Sequence, residues 1–71
     1  NFELDPIFVI KLGNVEKDWF LERMEFDDGL VRKIFWTQVP IHAMHFHDYD
    51  DVLAFAGTQF GDRHVVVKEL I

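Results

Sequence analysis

Hydrophobic residues fall along this chain in short runs separated by turn-forming residues. Ile7-Phe8-Val9-Ile10 is a β-branched and aromatic run bounded by Pro6 and Gly13, the composition of a strand. Residues 20–26 mix apolar positions with good helix formers such as Leu21, Glu22, Arg23 and Met24. The next residues favour a strand there. Asp27-Asp28-Gly29 is a hairpin signal, because Gly29 tolerates positive φ. Residues 30–36 alternate, with Leu30, Ile34 and Trp36 on one side and Arg32 interrupting. The pattern therefore predicts that 20–26 and 30–36 pair as a β-hairpin. Pro40 ends the second strand. A strand over 41–47, an acidic turn at Asp48-Tyr49-Asp50 and a strand over 52–56 closed by Gly57 are expected to follow. Residues 58–63 read as a loop around Gly61 and Asp62, and 65–71 as a last strand led by Val65-Val66-Val67. Short strands at regular spacing point to an all-β fold, a sandwich or a small barrel.

The chain has 71 residues, which supports one domain over 1–71. A chain of this size buries only about 60% of its unfolded surface, so it is expected to need a staple. It has no cysteine, which removes disulfides and thiolate ligands together and leaves a metal or a second copy as the support. Eight Phe and two Trp supply core area and argue against disorder. The net charge is -6, with 13 acidic against 7 basic residues, so a phosphate backbone is a poor partner and no nucleic acid is expected. No apolar run approaches the roughly 20 residues that span a membrane, and no signal peptide is visible, so a soluble protein is expected. The chain contains no Ser, which excludes a serine nucleophile, and it has no Gly-rich phosphate loop.

The candidate chemistry lies in His45-Phe46-His47-Asp48-Tyr49-Asp50-Asp51. Residues two apart on a strand share a face, so His45 and His47 would point the same way, with Cα atoms about 6.6–7 Å apart. Two imidazoles so placed can meet on one metal at about 2.0–2.1 Å from each nitrogen. Asp51, at the start of the next expected strand, would close on the same point if the two strands were neighbours. Two His and a carboxylate form a facial triad suited to Fe(II), and also to Mn, Ni or Zn. On spacing alone the same run reads equally well as a solvated acidic turn beside two hydrogen-bonded histidines. His42 has the opposite parity and fits a rim or surface role. His64 fits a satisfied polar residue, and Trp19 and Trp36 fit core or interface anchors. Tyr49 sits beside the expected site, where it could act as an acid or simply cover the turn. Glu22, Arg23, Glu25, Arg32 and Lys33 read as cross-strand pairs on a wet face.

The stretch from His45 to Gly57 resembles the first conserved motif of the cupin superfamily, which has two histidines one residue apart, then a Glu, then a Gly. By that resemblance His45 and His47 match the histidine ligands, Asp51 the Glu ligand and Gly57 the closing glycine. The resemblance covers about a fifth of the chain. It implies a cupin-like barrel or half-barrel of the jelly-roll type, built of short antiparallel strands, with a divalent transition metal and dioxygenase, isomerase or lyase chemistry on a small molecule. Three departures stand beside it. Asp51 is one methylene shorter than Glu, the leading glycine is replaced by Pro40-Ile41, and no second motif follows, His64 being the sole downstream histidine. The barrel is accordingly expected to be completed by further chain beyond Ile71 or by a second copy, making a homo-oligomer. The alternatives are a non-enzymatic small-molecule-binding module and a self-associating structural β-protein.

Overall fold

The structure is a computed structural model, which describes residues 5–61 and 63–71. The chain runs β1 (Phe8–Leu12), β2 (Phe20–Asp27), β3 (Leu30–Thr37), a single 3-10 turn (Pro40–His42), α1 (Tyr49–Phe60) and β4 (Val65–Glu69). The four strands form one sheet in the order β3-β2-β1-β4, with every neighbouring pair antiparallel. The fold is thus mostly antiparallel sheet, as the turn pattern implied.

The hairpin falls where the Asp-Gly signal placed it. Asp27 pairs with Leu30 across a two-residue turn in which Asp28 and Gly29 have φ of 52° and 77°. Two consecutive positive φ values mark a turn whose twist matches that of the flanking strands. Two register shifts interrupt the ladder. Leu21 faces Trp36 while Arg23 faces Phe35, which leaves Glu22 as an extra residue in β2. Glu25 faces Lys33 while Phe26 faces Val31, which leaves Arg32 as an extra residue in β3. Each extra residue exchanges the two faces of its strand. Leu21 and Met24, three apart, therefore pack against the same core. Leu30 is exposed although Ile34 and Trp36 pack inward, which is why the alternation broke at Arg32.

The largest difference from the expected fold lies in residues 49–60. Asp48 is the N-cap of an α-helix there, its carboxylate accepting from the Asp51 backbone N–H at 3.0 Å. Asp50 and Asp51 occupy the first turn, where the helix dipole favours negative charge. Val52, Phe55, Ala56 and Phe60 recur at helical spacing and pack against Ile10 and Leu21 of the sheet. The expected strand over 52–56 is therefore helix, the acidic turn is its cap, and the expected loop over 58–63 begins only after Phe60; Asp62, part of that loop, lies outside the described residues. One helix is laid on β1 and β4, and the sheet is open among the described residues.

The segment before α1 is not a regular strand either. It begins as the 3-10 turn and then closes a gap in the sheet. β1 and β2 pair in register only at Lys11 and Phe20. Beyond that point the Met44 N–H donates to the Leu21 carbonyl at 2.8 Å, and Phe46 exchanges two backbone bonds with Phe8. Met44 and Phe46 pack into the core below α1, while Ala43 joins Val9 and Phe20 in a second cluster with Leu70 on the other face. The alternation expected of a strand over 41–47 is kept from Met44 to His47, with Met44 and Phe46 inward and His45 and His47 outward. Burying Ile10, Leu21 and Val52 completely stabilises the sheet–helix contact by about 1.5–3 kcal/mol each.

Candidate functional site

His45 and His47 are both exposed and lie on the side of their segment away from the core. His45 Nε2 lies 3.1 Å from the Pro40 carbonyl oxygen, and His47 Nδ1 lies 3.1 Å from that of Pro6. A carbonyl only accepts, so each of these nitrogens carries the hydrogen and donates. Asp51 stands in the first turn of α1, where its backbone N–H serves the cap. Tyr49, the first residue of α1, is about half exposed and rests its ring against Phe8, with centroids 5.5 Å apart. Gly57 lies inside the helix rather than closing a strand. Among the described residues no three His, Asp or Glu side chains come together as a metal-binding group. Strand adjacency was the geometric basis for bringing Asp51 to the two histidines, and that adjacency is absent because 49–60 is helical.

A different concavity stands at the far end of α1. An open pocket of about 350 Å3 lies between the last turn of the helix and the sheet. Its apolar wall is Leu12, Val15, Ile34, Trp36, Phe60 and Val65. Its polar groups are Asn14, Arg63 and His64. Trp36 and Phe60 form the floor, with ring centroids 5.9 Å apart and planes inclined at 47°, an arrangement within the favourable range for aromatic pairs.

Backbone hydrogen bonds fix the polar side of this pocket. Gly61, at φ 57°, ends α1 and donates to the Gly57 carbonyl. The Arg63 N–H donates to the Phe60 carbonyl at 3.0 Å, and the Val65 N–H to the Arg63 carbonyl at 2.8 Å. The Gly13 N–H donates to the His64 carbonyl at 2.8 Å, tying the loop after α1 to the loop after β1. Arg63 and His64 are exposed at the rim. Arg23 and Arg32 each lie within 4.0 Å of a carboxylate, whereas among the described residues Arg63 has no such partner.

Nothing in the spacing of Trp36, Phe60, Arg63 and His64 marked them as a unit. The turn pattern places Phe60 in a loop over 58–63, and only the helical period beginning at Val52 carries it under Trp36. Among the described residues no helix is long and apolar enough to cross a membrane. The chain matches no protein-family model, no curated protein and no solved structure.

Proposed function

We propose that this protein is a small binding module that holds an apolar, ring-sized ligand in the pocket between α1 and the sheet. The observation that carries the reading is the pocket's construction: a Trp36–Phe60 floor, aliphatic walls and a few polar groups at one side. Small-molecule sites generally have this composition, and the volume falls toward the lower end of the roughly 300–1,000 Å3 they span. At roughly 0.4 kcal/mol per heavy atom, a ligand of about 13 atoms would gain about 5 kcal/mol, a sub-millimolar affinity.

The test uses the neutral fluorophore N-phenyl-1-naphthylamine, whose emission rises in apolar surroundings. Val15 is 47% exposed at the pocket mouth, so Val15→Trp fills the opening without crowding the core. Saturable 1:1 binding is expected in the wild type and at least tenfold weaker binding in Val15→Trp, at unchanged helical circular dichroism. Binding that is absent, or indifferent to Val15→Trp, refutes the proposal.

A second reading assigns His45, His47 and Asp51 to a divalent metal, within a cupin-type barrel completed by further chain or a second copy. One observation favours it: each histidine donates one ring N–H to a backbone carbonyl, the arrangement that orients metal-binding imidazoles and leaves the other nitrogen as the ligand. Elemental analysis of protein purified without added metal tests it, together with His47→Ala. A metal-free wild type whose melting temperature ignores chelator removes this reading.

A further inference from the structure

Among the described residues, the charge lining the pocket is opposite in sign to the net charge of the chain. Acidic residues outnumber basic ones by 13 to 7, yet no Asp or Glu is among the described residues that line the pocket. Its polar lining consists of Asn14, Arg63 and His64, all able to donate hydrogen bonds. Arg63 brings a permanent cation to the edge of an otherwise apolar cavity and, among the described residues, no carboxylate lies within ion-pair distance of it. The Arg63 backbone is held on both sides, its N–H donating to the Phe60 carbonyl and its carbonyl accepting from the Val65 N–H, which fixes the residue's place at the end of α1.

From this juxtaposition we infer that the ligand is an aromatic carboxylate, its ring on Trp36 and Phe60 and its carboxylate at Arg63 and His64. The inference rests on the pocket being the binding site, and it adds the ligand's charge and polarity. A carboxylate matches the planar two-pronged donor face of a guanidinium. Asn14, on the loop after β1, offers an amide to the same end of the ligand. The single Arg gives the ligand an orientation as well as a charge, since apart from Asn14, Arg63 and His64 the lining residues are apolar.

The experiment compares three probes of one shape by isothermal titration: 2-naphthoate, 2-naphthalenemethanol and 2-naphthylmethylammonium. The expected order is naphthoate about tenfold tighter than the alcohol, with the ammonium weakest. Tenfold is the scale of one charge-assisted hydrogen bond in a partly solvated site. Arg63→Gln, an exposed substitution outside the core, is expected to collapse the naphthoate-to-alcohol ratio to about one, and Arg63→Lys to restore part of it. Equal binding of naphthoate and alcohol by the wild type overturns the inference while leaving the pocket in place. A naphthoate preference that survives Arg63→Gln overturns it too. Failure of all three probes to bind removes the pocket reading itself.

Discussion

Replacing Asp48 by Ala separates a helix from a strand at the centre of this sequence. The Asp48 carboxylate accepts from the Asp51 N–H, and the Asp48 carbonyl accepts from the Val52 N–H at 3.1 Å. Losing an N-cap of this kind costs about 1 kcal/mol, within a range of roughly 0.5–2. Removing a negative charge at the helix N-terminus adds about 0.3–1 kcal/mol. The first turn carries Val52, which is fully buried against Ile10 and Leu21, so fraying there loosens the core and cannot be absorbed locally. A total of about 1–2 kcal/mol lowers the melting temperature of a domain this size by roughly 5–15 °C. Asp48→Asn keeps the cap and loses only the charge, so it should recover more than half of the loss. Thermal melts followed at 222 nm measure both variants. If Asp48 were an exposed turn residue between strands, Asp48→Ala would change stability by no more than about 0.5 kcal/mol. That result, or an Asn variant as unstable as the Ala variant, refutes the capped helix.

Three further outcomes are expected. Gly57 lies inside α1, and an added Cβ there would meet nothing within 4 Å; Gly57→Ala should stabilise by about 0.5–1 kcal/mol in urea melts, and destabilisation would count against helical geometry at that position. Gly29 has φ of 77°, so Gly29→Ala should cost about 1–2 kcal/mol and weaken the hairpin; an unchanged melt would contradict the turn. The Lys11 ammonium, hydrogen-bonded to Asp18 at 2.7 Å, holds the Asp18 carboxyl below its ordinary value of 3.8. A depressed folded-state value means a contribution present in full above the ordinary range and lost as pH falls through the lower folded value. The stability difference between wild type and Asp18→Asn should therefore be constant above about pH 5 and close below about pH 4; a difference that grows with acid would reverse the sign of the argument.

Features encoded by neighbouring residues were legible in the sequence, and features that depend on distant packing were not. The Asp28-Gly29 turn is a two-residue conformational requirement, so the hairpin could be placed to within a residue. Val65-Val66-Val67 likewise states its preference locally. Val52-Leu53-Ala54-Phe55-Ala56 does not, because a short apolar run serves a buried strand or a helix equally well. The deciding signals were present: an Asp cap, two acids in the first turn, and Phe60 continuing the Val52-Phe55-Ala56 stripe. The spacing of His45, His47 and Asp51 points the other way, because it suits a metal site only on paired strands. The extra residues at Glu22 and Arg32 exchange the faces of β2 and β3, and no residue type there announces it. The pocket draws on β1, β3, β4 and the end of α1 and on two loops, so no single stretch of sequence contains its pattern.

Chemical-shift mapping with 2-naphthoate on uniformly 15N-labelled protein tests the central claim most directly. Increments through saturation should shift the Trp36 indole N–H and the backbone amides of Val15, Phe60, His64 and Val65 together, fitting one dissociation constant. The amides of His45, His47, Tyr49 and Asp51 should stay in place. Shifts centred on His45 to Asp51, or no saturable shift at Trp36, would contradict a binding pocket at the end of α1.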